Sequence, residues 1–225
     1  SLLLAQRSLT SMRDHCNYHD GSLQKYYKTL AESRVGSVET ERTLKEYITT
    51  DKDTLKMLDK VRVVSLYDYP TLIVGPTGTG KDIIARSMHG YRLVDHFVAI
   101  NCSALTSTLL ESELFGHVQG AFTNATRTRA GKILAANCGT LFIDEVGDMS
   151  VEMQSKLLKF LDSQSYYPVG SDHLDKVYVR VVCATHKDLD SMCARGEFRE
   201  DLYHRLSAVV IHTKGLVDRL DDIAL

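Results

Sequence analysis

The chain reads as an α/β domain with a mostly parallel sheet flanked by helices, and three observations carry that reading. Short runs rich in Val, Ile and Leu recur at "TLIV" (71–74), "FVAIN" (97–101), "TLFID" (140–144), "VYVRVVCAT" (177–185) and "AVVIH" (208–212). Strands buried on both faces need such continuous apolar runs, and the helical stretches between them supply the crossovers of parallel pairing. The first run leads into a glycine-rich turn and the third ends in two adjacent carboxylates.

Composition sets the frame for these elements. A chain of 225 residues can bury a substantial core. Its 27 basic and 29 acidic residues give no whole-chain attraction to nucleic acid or membrane. The opening "SLLLAQRSLT" is too short to span a bilayer and lacks the flanks of a signal peptide. Cysteines at 16, 102, 138, 183 and 193 form no CxxC pair, which reads as reduced thiols in a cytoplasmic protein. Cys102, Cys138 and Cys183 sit in or beside apolar runs and read as small core residues. Residues 1–52 read as a linker or the edge of an upstream domain, with a helix near 23–31, and residues 53–225 as the core unit. With no initial Met, the chain reads as a fragment. His15, Cys16 and His19 in "HCNYH" lack a complete zinc ligand set and read as a surface turn.

The turn after the first strand is "GPTGTGKD": Gly75, Pro76, Thr77, Gly78, Thr79, Gly80, Lys81 and Asp82. Its glycines permit close approach and backbone angles that a side chain forbids, so successive N–H groups can line an anion-sized hollow. A helix beginning at Lys81 adds the positive end of its dipole. The natural guest is a nucleotide triphosphate tail, with Lys81 reaching the outer phosphates as a point charge. Asp82 stands where the general pattern offers a hydroxyl to magnesium.

After "SALTSTLLESELF", a helix expected to pack through Leu105, Leu109 and Phe115, comes "GTLFIDEVGD". At the carboxyl end of that strand Asp144 can hold Mg2+, with Asp82 contributing through water. Glu145 can orient and deprotonate an attacking water. Asn101 closes "FVAIN", and Thr185 with His186 closes "VVCAT". Each of these three either touches phosphate or water, or serves as a cap or turn residue.

"ESELFGHVQGAFTNA" (111–125) closely resembles the signature of the sigma-54-dependent transcription activators, a branch of the AAA+ ATPases. The resemblance runs from about Asp53 through "GPTGTGKD", "FVAINCSAL", "GTLFIDEVGDM", "QSKLLKFL" and "GEFREDLYHRL". An acidic residue after the loop lysine is usual in that family, which accounts for Asp82. The resemblance implies ATP and Mg2+ as cofactors, a switch formed by Glu145 and Asn101, and Thr185 and His186 at sensor I. It also implies a ring, a hexamer by family analogy, in which Arg199 and Arg205 reach the neighbouring subunit's γ-phosphate. Taken alone, either arginine reads as a surface ion pair.

The family's GAFTGA loop corresponds to Gly120, Ala121, Phe122, Thr123, Asn124 and Ala125. By resemblance, Phe122 and Thr123 stand at a tip that grips sigma-54 and helps RNA polymerase open promoters. The residues alone leave two readings, an exposed contact or a Phe122 folded back into the domain. Asn124 replaces the family's second glycine, and Asn tolerates left-handed backbone better than most residues. By resemblance "YYPVGSDHLDKVYV" is a second pore-facing loop, and taken alone it reads as an ordinary surface hairpin. His204 and His186 depart from the commonest family letters, Tyr and Asn. The chain stops near "DRLDDIAL", where the family continues into a helical lid, and a DNA-binding domain for enhancer contact lies beyond it. The competing functional expectation is an AAA+ ATPase acting on another client or as a sigma-54-independent regulator.

Overall fold

A computed structural model describes residues 40, 42–89, 96–123 and 125–224. The expected helix near 23–31, the "HCNYH" turn and Asn124 lie outside the described residues. In chain order the elements begin with α1 (Lys52–Val64), β1 (Thr71–Val74), α2 (Lys81–His89), β2 (Phe97–Asn101) and α3 (Ser107–Phe115). Next come β3 (Gly116–His117), β4 (Arg129–Ala130), α4 (Lys132–Ala135), β5 (Thr140–Asp144) and α5 (Val151–Ser163). The order closes with β6 (Ser165–Tyr166), β7 (Asp175–Lys176), β8 (Arg180–Thr185), α6 (Leu189–Ala194), α7 (Glu200–Leu206) and β9 (Val209–His212).

The main sheet has five strands in the order β2-β5-β8-β1-β9, and every neighbouring pair is parallel. Its middle strands are the apolar runs of the sequence, since only a strand covered on both faces can be apolar throughout. Alternation sends Ile73, Phe142, Val182 and Ala184 to one face, against Leu58 and Val61 of α1 and Ile84 and Met88 of α2. Leu72, Leu141, Ile143 and Val181 face the other side, against α3, α5 and α7 through Leu114, Leu157, Phe160 and Leu206. The face of α3 differs from expectation: Leu110, Leu114 and Phe115 are buried while Leu109 is 53% exposed. The helix starts only at Ser107, and the register from there turns Leu109 outward.

The strand expected over 177–185 begins at Arg180, which is 1% exposed. Its guanidinium donates to the carbonyls of Val64 and Ser65, at the end of α1, and of Met88, near the end of α2, at 2.7–3.2 Å. Two helix ends, each carrying partial negative charge, thus supply what a buried cation needs. The packed unit also reaches back before residue 53. Leu44 and Tyr47 are buried in the α1–α2 side of the core, and Thr40 donates to Ser87 O at 3.0 Å. Cys102, Cys183 and Cys193 are free, whereas Cys138 is disulfide-bonded and only partly buried. The expectation of a reduced, core-packed thiol therefore fails at Cys138.

Strand order places the chemistry. The chain runs from β1 out to β2, returns through β5 and β8, then crosses β1 to lay down β9. The reversal opens a crevice beyond the carboxyl ends of β1 and its neighbours, the usual ligand position in such sheets.

Candidate nucleotide site and its paired loops

Register aligns the predicted site residues along that crevice. Asn101 pairs with Asp144 across β2 and β5, and Val74 at the end of β1 pairs with Thr185 of β8 and His212 of β9. Gly75 through Gly80 then turn from β1 into α2, with φ of +79° at both Gly78 and Gly80. A Cβ on Gly78 would meet nothing within 4 Å, so the loop opens onto free space there. Gly75 is glycine for a different reason: a Cβ would collide with the Thr213 side chain and carbonyl.

Lys81 is buried, its side chain 8% exposed, and donates to Gly75 O at 2.9 Å and Pro76 O at 3.1 Å. These bonds hold the ammonium across the loop mouth, where incoming phosphate oxygens can replace the carbonyls. Thr79 is fixed from three sides. Its hydroxyl donates to Pro76 O at 2.9 Å and lies 2.7 Å from the Thr213 hydroxyl, and its carbonyl accepts from the Tyr47 hydroxyl at 2.7 Å. The Tyr47 ring also lies 2.8 Å from where a Gly80 Cβ would stand. Burial raises the pKa of the Tyr47 phenol, which keeps it a donor. Arg219 stacks over this ring at 5.2 Å and pairs with Asp222 at 3.2 Å. Asp222 also accepts from Thr50 N at 2.6 Å and the Thr49 hydroxyl at 2.7 Å, bonds that bring its pKa down to about 2.

The acidic pair sits on the neighbouring strand end. Burial first, and the adjacent Glu145 second, raise the pKa of Asp144, with Asp82 adding to the effect and Lys81 opposing it. A carboxylate in such company lacks positive charge, and this is the environment that an oxygen-seeking cation such as Mg2+ relieves. Asp144 is the residue that fits it, and Asp82 lies in the same field. Among the described residues no group of three His, Cys, Asp or Glu forms a self-contained metal site. A Mg2+ held by one carboxylate and phosphate oxygens needs none.

Glu145 has φ +52° and ψ +50°, a left-handed conformation that costs a non-glycine residue about 1–2 kcal/mol. The strain aims its carboxylate into the crevice, one oxygen 4.0 Å from Lys81 Nζ and the other 2.7 Å from His186 Nδ1. Asn101, expected to partner Glu145, instead donates to Asp144 Oδ2 at 3.1 Å, while its own amide oxygen accepts from Ser103. The reason is register: Asn101 and Asp144 lie side by side, whereas the backbone at Glu145 has already turned away. Thr185 is fully buried, accepts from Lys187 N at 3.0 Å and carries the carbonyl that receives Gly75 N. Lys187 pairs with Asp148 at 2.5 Å.

Arg199, at the start of α7, and Arg205, within it, both bond to α5. Arg199 is paired with Asp201 at 2.7 Å and bonded to the Ser155 hydroxyl, and Arg205 is paired with Asp162 at 3.2 Å. Both guanidinium groups are 40–48% exposed.

The two loops project from a third region and meet. Val118 N donates to Val169 O at 3.1 Å and Val169 N to Gly116 O at 2.9 Å, so the loop stems form a short parallel bridge. Gly170, at φ +76°, packs so closely that a Cβ would lie 2.7 Å from Ala121 Cβ. Gly120 N donates to Ala125 O at 2.9 Å, closing the first loop on itself. Phe122 is half-buried with its ring edge-on to His117 at 5.0 Å, closer to the folded-back reading than to a bare tip, and Thr123 is exposed. His117 gives the Phe122 ring an edge-on aromatic partner.

Sequence reasoning found the glycine turn, the acidic pair and both loops. It missed Tyr47, Thr213, Arg219, Asp222 and His117. Only Thr213 carried a signal, as the first residue beyond an apolar run.

A glycine cradle at the reversal point of a parallel sheet, with Lys81 inside it and carboxylates on the adjoining strand, defines a phosphate-loop domain of the AAA+ class. Residues 47–212 match the family described as the Sigma-54 interaction domain, and the chain belongs to that family, the AAA+ domain of sigma-54-dependent transcriptional regulators. The transcriptional regulatory protein GlrR of Escherichia coli K12 is 46% identical over 187 residues, 82% of this chain and 42% of GlrR. The Nif-specific regulatory protein of Bradyrhizobium diazoefficiens is 46% identical over 75% of this chain and 29% of its own length. The structure of NtrX from Brucella abortus in complex with ATP superposes with a TM-score of 0.72 at 35% identity, covering 79% of this chain and 40% of NtrX. The chain thus spans less than half the length of these relatives. Among the described residues no helix is long and apolar enough to cross a membrane.

Proposed function

We propose that this chain binds ATP with Mg2+, hydrolyses it between subunits of a ring, and uses the cycle to remodel sigma-54 RNA polymerase at promoters. The observation that carries the proposal is the carboxylate of Glu145 lying 4.0 Å from the Lys81 ammonium at the mouth of the glycine cradle. Hydrolysis needs a base and a phosphate-facing cation in that proximity.

Gly75 to Gly80 offer backbone N–H groups to the phosphates, and Lys81 exchanges the carbonyls of Gly75 and Pro76 for phosphate oxygens. Asp144 would hold the metal, with Asp82 contributing through water, and bound Mg2+ would supply charge neutralisation on the phosphate oxygens. Glu145 takes a proton from the water whose oxygen attacks the γ-phosphorus, and ADP leaves with the electrons of the broken P–O bond. Thr185 and His186 bound this site on the β8 side. Arg199 and Arg205, partly exposed and away from their own cradle, suit a reach to a neighbouring subunit, where a guanidinium neutralises transition-state charge. The ring is a hexamer on family analogy. Gly120, Ala121, Phe122, Thr123, Asn124 and Ala125 are assigned to sigma-54, and enhancer DNA contact to parts outside residues 53–225. The reading implies a cytoplasmic protein, since RNA polymerase works there.

The test is phosphate release by the full-length protein across a range of protein concentrations. Turnover per subunit should rise with assembly, and Glu145→Gln should lower it about 10²–10⁴-fold while leaving nucleotide binding intact. Equal turnover in wild type and Glu145→Gln would refute the hydrolytic assignment. One letter favours a second reading, in which the client is another protein: Asn124 stands in place of the loop's second glycine.

A further inference from the structure

We infer that His186 is the positioning residue for Glu145, holding one carboxylate oxygen so that the other faces the phosphate-loop lysine. The inference rests on the hydrolytic reading above for its consequence but on the present geometry for its content.

Glu145 Oε2 accepts twice from the same residue, from His186 N at 3.2 Å and from His186 Nδ1 at 2.7 Å. Glu145 Oε1 is left toward Lys81. The carboxylate is thereby oriented, its two oxygens sorted between the His186 donor and the Lys81 ammonium. Three contacts make the donor fixed. Gly147 packs so tightly on Thr185 that a Cβ would lie 3.0 Å from its hydroxyl, Thr185 Oγ1 accepts from Lys187 N, and Lys187 pairs with Asp148. His186 is therefore clamped between Thr185 and Lys187, both stapled to the turn that follows Glu145. Glu145 itself sits in left-handed backbone, a strained state that survives only where its surroundings over-determine it. Asn101 takes no part, because its side chain is spent on Asp144 and Ser103.

A carboxylate only accepts hydrogen bonds, so the contact requires a proton on His186 Nδ1. The side-chain amide nitrogen of Asn overlays Nδ1 of His along the chain, whereas that of Gln extends one bond further. Asn at position 186 should therefore replace the donor, and Gln and Ala should not.

Two measurements on the full-length protein test this. Nitrogen-15 NMR of labelled histidines should report a hydrogen-bonded Nδ1–H for His186 in nucleotide-free wild type, lost in Glu145→Ala. In steady-state ATP hydrolysis, His186→Ala should lower kcat about 10–100-fold, the cost of a misplaced base, with KM changed less than about 2-fold. His186→Asn should recover most of that loss, and His186→Gln should not. A His186 without a proton on Nδ1 would overturn the inference, as would unchanged kcat in His186→Ala or failure of His186→Asn to rescue. If wild type shows no hydrolysis, the hydrolytic reading falls, and the Nδ1–H signal alone decides whether His186 holds Glu145.

Discussion

Asp144 and Thr185 end strands of five and six residues within a fully parallel sheet, whereas the loops bearing Phe122 and Gly170 hang from ladders two residues long. Around the cradle the chain is held by the sheet, by Thr213 and Tyr47 at Thr79 of the phosphate loop, and by the Asn101–Asp144 bond. Around the loops, among the described residues, two backbone hydrogen bonds join the stems, local turn bonds close each loop and one ring contact is added. Few contacts mean a low local opening free energy, and elements that move in a working cycle come from that end of the range. The difference teaches that one chain can keep a reaction geometry still while leaving the contact surface free to change.

Perturbations of the two regions should separate accordingly. The largest effect is expected inside the cradle. Lys81→Ala removes the one cation in the loop and should lower hydrolysis about 10²–10³-fold, measured by phosphate release, without lowering the melting temperature in nucleotide-free buffer. Next is the scaffold beneath it. Arg180→Met removes charge-assisted bonds to three carbonyls and should cost about 3–4 kcal/mol in denaturant unfolding, lowering the stability of the whole domain. A loss confined to the loops would break the comparison. Smaller again is Gly170→Val, which puts a side chain against Ala121 in left-handed backbone. About 1–2 kcal/mol of local strain should open the loop pair, seen as faster amide exchange at Val118 and Val169, with hydrolysis unchanged.

The smallest expected effect is a pH dependence at the buttress of the cradle. Asp222 has its pKa lowered to about 2 by bonds from Thr50 and Thr49, so its contribution to stability is complete above about pH 4 and is lost as pH falls through about 2. The melting-temperature difference between wild type and Asp222→Asn should be widest near neutrality and shrink toward pH 2. A difference constant across that window would remove Asp222 from the account.

What the sequence disclosed follows the range of its interactions. The phosphate loop was legible because glycine turn, lysine and helix start lie within eight letters, and "TLFIDE" because an apolar strand and its terminal carboxylates are contiguous. Tyr47 meets Thr79 across 32 residues and Thr79 meets Thr213 across 134, and no local pattern announces such meetings. Arg180 stands inside an apolar run, and its partners are the carbonyl ends of two helices far from it in sequence. Asn101 was correctly located at a strand end, but its partner depended on a one-residue backbone turn at Glu145 that strand patterns do not record. Phe122 was ambiguous for a similar reason, since the ring it packs on, His117, belongs to a two-residue strand too short for periodicity.

The most direct test of the central claim is capture of sigma-54 by the full-length protein trapped with Mg2+, ADP and aluminium fluoride, followed by gel filtration. The account predicts co-elution that requires the trapped nucleotide and disappears with Thr123→Ala, while hydrolysis by that variant stays within about 2-fold of wild type. A ring that hydrolyses ATP yet leaves sigma-54 free would contradict the assignment of the loop and move the search to another client.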